Sequence, residues 1–116
     1  MNLVPYADAP AYDAPGHDRM AMRRLQGKEA GPSDNVWMGL SVIAPGGGTT
    51  LTASGVEKFY VVIEGELEIT AVLPDQPPRT ETMRVKDSCR IAPGESRRLH
   101  NPGSLPCSVL LVMPNG

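Results

Sequence analysis

Hydrophobic and polar residues alternate with a period of two in short runs along this chain, and no stretch keeps a helical period over three turns. The clearest run covers residues 35–44, where Val36, Met38, Leu40 and Val42 take one face and Trp37, Gly39, Ser41 and Ile43 the other. Apolar residues on both faces predict a strand covered on each side, by the core on one and by a second subunit on the other. Residues 66–71 predict a strand with one dry and one wet face, because Leu67, Ile69 and Ala71 alternate with Glu66, Glu68 and Thr70. Met20, Met22 and Arg24 alternate with Ala21, Arg23 and Leu25 in the first barrel strand, which ends at Gly27. Further strands are predicted over 49–54, 57–63, 81–85, 89–91, 97–100 and 107–113, separated by turns at 45–48, at Gly65, at 86–88 and at 93–95. Residues 28–34 and the proline-rich 74–80 read as loops, the latter the most mobile.

Pro5, Pro10, Pro15 and Gly16 exclude a helix from the first residues, so 1–18 is expected to run as an extended arm ahead of a single domain over 19–116. Tyr6 and Tyr12 are the arm's aromatic side chains and its expected anchors. Twelve glycines and twelve prolines recur between β-branched and aliphatic segments, the pattern of many short strands joined by tight turns. The fold class is therefore all-β, a barrel or a sandwich.

Composition narrows the function classes. The 116 residues suffice for one core, and with 41% apolar residues, 21% charged residues and a net charge of −2 the chain is neither disordered nor strongly polarised. That balance argues against nucleic acid as a partner. No apolar run approaches the ~20 residues that span a bilayer, and MNLVPYADAP lacks the basic start and apolar run of a signal peptide. Cytoplasmic residence with no membrane partner is expected. Cys89 and Cys107 fit neither a disulfide framework nor a C-x-x-C site and read as buried thiols.

Two stretches carry candidate chemistry: GGGTTLTASGVEKFYVVIEGE from Gly46 to Glu66, and APGESRRLHNPG from Ala92 to Gly103. Together they resemble the two motifs of the cupin superfamily, G-x5-H-x-H-x3,4-E-x6-G and G-x5-P-x-G-x2-H-x3-N. The resemblance implies a jelly-roll, or double-stranded β-helix, barrel with a ligand or metal pocket inside. Gly46 and Gly65 hold the ends of the first motif, but Thr52 and Ser54 stand at its two histidines and Lys58 at its glutamate. In the second, Gly94 and Asn101 match, Lys86 and Ala92 replace the leading glycine and the proline, and Arg97 stands at the histidine. In the family's register Thr52, Ser54, Lys58 and Arg97 converge where a metal would sit, with Tyr60 beside them. Hydroxyls, an ammonium and a guanidinium are not ligands for iron, manganese, nickel or zinc, and two cations repel one more. The expectation is no metal and no cofactor. Arms like this one pack on a second subunit in small cupins, which implies a homodimer.

A carboxylate or phosphate would compensate two cations in a partly dry barrel. Thr52, Ser54, Lys58, Tyr60 and Arg97 are accordingly the candidate ligand-binding residues, for a small organic anion. The alternative is a metal-free isomerase, lyase or cyclase, with Lys58, Tyr60 or His17 as the acid–base or nucleophilic group. A strand slip by one residue would instead put Glu57 inside and Lys58 in solvent, and Arg97 or Arg98 could reach the barrel mouth to meet Glu95 or Asp87. His100 has the opposite parity to Arg97 and is expected to face away, while His17 matters only if the arm folds over the barrel mouth. Glu57, Glu64, Glu66 and Glu68 read as a wet face, and Met20, Met22 and Met38 as core or interface fillers.

Overall fold

Ten strands make up the computed structural model, which describes residues 1–115: β1 (Ala11–Tyr12), β2 (His17–Gln26), β3 (Val36–Thr49), β4 (Thr52–Ala53), β5 (Lys58–Glu64), β6 (Leu67–Val72), β7 (Arg79–Met83), β8 (Ser88–Ile91), β9 (Ser96–His100) and β10 (Cys107–Pro114). They pair antiparallel in the order β7-β6-β9-β3-β10-β5-β8, with β1 on β2, β2 on β3 and β4 on β9. Strand β3 is long enough to serve both halves. Its segment Val36 to Ile43 pairs with β10, and Gly48 pairs with His100 of β9. The result is the nearly closed jelly-roll barrel expected from the two motifs, with β7 and β8 as its two edge strands.

Alternation decides what fills it. Lys58, Tyr60 and Val62 of β5 are buried, Leu67 and Ile69 of β6 likewise, and Ile43, Leu99, Cys107 and Val109 join them in one core. Each fully buried aliphatic side chain contributes about 1.5–3 kcal/mol over leaving it in water. Cys107 lies fully inside and Cys89 half-buried. No helix among the described residues is long and apolar enough to cross a membrane.

Residues 45–48 do not turn. Strand β3 continues through them to Thr49, and the glycines permit close approach of β2 and β9 rather than a reversal. A Cβ on Gly47 would stand 2.8 Å from the Arg19 Cβ and from the carbonyl oxygens of Asp18 and Arg19, and one on Gly48 would overlap the Leu99 carbonyl oxygen. Strand β7 spans Arg79–Met83 rather than 81–85, because the chain turns from Arg84, whose N–H donates to the Asp87 carboxylate (2.8 Å).

The N-terminal segment holds a single 3-10 turn, Tyr6–Asp8, and then β1, which pairs Ala11 with Arg23 and Tyr12 with Met22. Strand β2 already begins at His17. The Arg23 Nη1 donates to the carbonyls of Tyr6 and Ala7 at 3.0 and 3.2 Å. The Arg24 guanidinium sits in the corner of two perpendicular rings, 3.6 Å from the Tyr12 centroid and 4.1 Å from that of Trp37. With its side chain only 16% exposed, this stack is sheltered. Arg24→Met is expected to cost about 1–2 kcal/mol in urea denaturation and to speed amide exchange in β1, and unchanged β1 exchange would mean the stack does not hold the arm.

Candidate functional site

Arg97 is the hub of a polar network inside the barrel. It sits on β9 opposite Thr52 of β4 and Ala71 of β6, and is 6% exposed. Its Nε donates to the Tyr60 hydroxyl (2.9 Å), and its Nη1 to the hydroxyls of Thr49 (3.2 Å) and Thr52 (3.1 Å) and to the Thr50 carbonyl (3.4 Å). Thr49 Oγ1 also accepts the Leu99 N–H at 3.0 Å. The other guanidinium nitrogen, Nη2, takes no part in these bonds. No fully enclosed side-chain nitrogen or oxygen among the described residues lacks a partner, so Nη2 is not completely enclosed.

Lys58 points into the same interior from β5. It is 8% exposed, whereas its neighbour Phe59 is 42% exposed, so the slip that would bring Glu57 inside does not occur. Glu57 instead pairs with Arg90 on the outside. Among the described residues the Lys58 side chain has neither a hydrogen bond nor an ion pair, and by the same reasoning its ammonium is not completely enclosed. Burial first, and the Arg97 charge second, hold its pKa below the usual value. Tyr60 is shifted the other way, raised by burial against the opposing pull of Arg97. Since its oxygen already accepts from Arg97, its proton remains available to a guest.

His17 joins this group from the first residue of β2, whose backbone partner on β3 is Thr49. Its Nδ1 is 2.8 Å from the Pro15 carbonyl, which can only accept, so Nδ1 carries the proton and neutral His17 presents Nε2 as a base. Burial lowers its pKa, and the charges of Arg97 and Lys58 add to the shift. A histidine whose folded pKa lies below its unfolded value contributes full stability above about pH 6.5. That contribution is lost as pH falls through the lowered folded value. Melting between pH 7.5 and 5 is therefore expected to decline less steeply in His17→Gln than in the parent, and parallel curves would contradict the placement.

The other sequence candidates separate. Thr52 is in the network. Ser54 uses its hydroxyl on the Val56 carbonyl (3.4 Å) and makes no bond to Arg97. His100, opposite Gly48, shares with Asp18 and Arg98 a cleft of about 400 Å³ that His17 also borders. Thr49, which sequence reading overlooked, is 6% exposed and accepts two N–H groups. Its signal was parity: Trp37, Gly39, Ser41, Ile43, Gly47 and Thr49 are all buried at odd positions of one strand.

At the positions of the motif's metal ligands the chain offers two hydroxyls, an ammonium and a guanidinium, with the single imidazole of His17 nearby. Among the described residues no three His, Cys, Asp or Glu side chains cluster to share an ion. This donor set does not fit a resident divalent metal.

No family profile matches the chain. It is 40% identical over 102 residues to the Mycobacterium tuberculosis protein named beta-D-galactosidase Rv1717, covering 87% of this chain and 83% of that one. Its structure is similar to that of the polyketide cyclase RemF from Streptomyces resistomycificus, with a TM-score of 0.81 and 27% identity over 100% of this chain and 80% of that one. An RmlC-like cupin from Shewanella frigidimarina gives a TM-score of 0.74 at 14% identity, with 100% and 92% covered, a likeness of fold. Barrel topology, motif spacing and these likenesses agree: the chain belongs to the cupin superfamily.

Proposed function

We propose that the barrel interior binds a small organic anion between Lys58 and Arg97, without a metal. The observation that carries this reading is Lys58, an ammonium 8% exposed with no partner among the described residues, beside a guanidinium whose Nη2 is also uncommitted. A largely buried ammonium without a counter-ion is costly, and a carboxylate offsets that cost at Lys58 while accepting from Arg97 Nη2. Thr52 and Tyr60 supply hydroxyls to complete the seat, and Ser54 borders it by sequence register. Calorimetry with acetate and pyruvate is expected to show binding, with proton uptake only in the alkaline window where the free protein has begun to lose the Lys58 proton, since an anion raises the Lys58 pKa back toward its usual value. Equal binding of acetamide and acetate would overturn the reading.

A second reading is favoured by the His17 geometry. A neutral imidazole with Nδ1 held by a carbonyl, two cations to stabilise an enolate, and a phenol to return a proton together form a metal-free acid–base set. Isomerisation, elimination or ring closure of a carbonyl compound falls within its reach, and the 27% likeness to a polyketide cyclase supports that class. The name of the mycobacterial relative adds glycoside cleavage as the competing test. That reaction ordinarily uses two carboxylates flanking the bond, and no Asp or Glu hydrogen-bonds to Arg97, Tyr60, Thr49, Thr52, Lys58 or His17 among the described residues. Hydrolysis of a nitrophenyl β-D-galactoside that Tyr60→Phe and His17→Gln both abolish would replace the anion reading with a glycosidic one.

The proposal includes a pair of chains. The sheet face away from the core carries Leu40 and Met38 of β3, Leu110 and Val112 of β10 and Phe59 of β5 in adjacent register, an apolar surface suited to a second copy. Light scattering is expected to give twice the chain mass, and a monomer mass at micromolar concentration would remove this part.

A further inference from the structure

A second cleft, of about 340 Å³, opens between the edge strands β7 and β8. Ile69, Ala71 and Met83 line one side of it, and Cys89 and Ile91 the other. The charged residues around it are already engaged. Arg79 pairs with Glu81 at 3.1 Å, Arg90 pairs with Glu57, and the Glu95 carboxylate accepts the Ala92 N–H at 2.9 Å. The cleft is thus mixed, an apolar wall with a rim of polar groups already held in pairs.

Strand register ties this wall to the polar network. Ala71 is the backbone partner of Arg97, Ile91 that of Lys58, and Cys89 that of Tyr60. Partners across an antiparallel ladder have Cα atoms about 4.5–5.5 Å apart and direct their side chains to the same face. The cleft therefore lies one strand spacing from both cations. Its volume of about 340 Å³ is ample for one substituted aromatic ring.

We propose that this cleft seats the apolar body of the molecule whose acid group meets Lys58 and Arg97. The ligand class is then an aryl or short-chain alkyl organic acid rather than a bare one- or two-carbon acid. The inference rests on the anion reading of the previous subsection and narrows it.

Phenylacetate and acetate are the probes. Phenylacetate is expected to bind roughly tenfold or more tightly than acetate, because it transfers a ring out of water. Ala71→Leu, which fills the cleft, is expected to bring the two affinities close together. Alkylation of half-buried Cys89 by N-ethylmaleimide reports on the same space in the parent protein, without relying on a variant that folds, and fully buried Cys107 serves as the silent thiol. Saturating phenylacetate is expected to slow Cys89 alkylation several-fold more than saturating acetate does. Equal affinities, or equal alkylation rates, overturn the cleft assignment. If acetate still binds and Lys58→Met abolishes that binding, the anion reading survives the loss, whereas failure of both acids to bind overturns the two together.

Discussion

Lys58→Met is expected to make the unliganded protein more stable while abolishing carboxylate binding. Methionine keeps the unbranched length that packs beside Ile91 and removes a charge that has no partner among the described residues. Relief of that desolvation and of repulsion from Arg97 is worth on the order of 1–3 kcal/mol at neutral pH. For a domain of this size that corresponds to a rise of roughly 4–15 °C in melting temperature. The pH dependence supplies a second check. The folded Lys58 pKa lies below its unfolded value, so the unfolded chain holds more protons between the two, and stability rises with pH across that window. The deficit is fully present below the folded pKa and disappears as pH approaches the usual lysine value. In Lys58→Met that alkaline gain should vanish. A variant less stable than the parent at pH 7, with carboxylate affinity intact, would show that Lys58 is a satisfied structural residue and remove the central support for an anion site.

Gly48→Ala is the substitution expected to damage the fold most. At this point β3 is held between two strands, with Gly48 opposite Asp18 of β2 and His100 of β9. A methyl group there would enter the Leu99 carbonyl oxygen, and the obstacle is backbone that cannot rotate aside as a side chain could. Strands on both sides prevent β3 from shifting, so a loss of about 3 kcal/mol or more is expected in urea denaturation. Thr49 and its bonds to Arg97 and Leu99 follow directly, so residual folded protein should also bind acids more weakly. Gly55→Ala is the matched control. A Cβ at Gly55 meets nothing within 4 Å, and its effect should stay within about 0.5 kcal/mol. Equal behaviour of the two variants would mean that the three-strand crossing is looser than described.

Which site residues share a strand face could be read from parity alone. Lys58, Tyr60 and Val62 share the buried face of β5, and Arg97 and Leu99 that of β9, because a strand that covers a core must send alternate residues inward. Three glycines in a row, by contrast, suggested a reversal at 45–48, and that reading cut β3 short and hid Thr49. A glycine run has two physical meanings, positive φ or close approach of backbones, and the local sequence does not distinguish them. Here Gly46 does adopt φ +79, yet the strand passes straight on. Ser54 shows what motif register alone leaves open. Motif register aligned it with a metal ligand, but its hydroxyl is within reach of the Val56 carbonyl and stays in its own turn.

By itself the sequence determined an all-β chain, the sharing of one strand face by Lys58, Tyr60 and Val62, and the chemical character of positions that hold hydroxyls and cations where the motifs have metal ligands. These are properties of residue type and of a two-residue period, and both are local. Only the tertiary structure decided that Thr49 and Tyr60 would hold one end of the Arg97 guanidinium, that His17 would border the cations, and that a cleft would open at the β7–β8 seam beside Ala71 and Ile91. Those facts depend on which distant strands pair and in what register. That choice is made by burial summed over the whole barrel, and no short window of sequence records it.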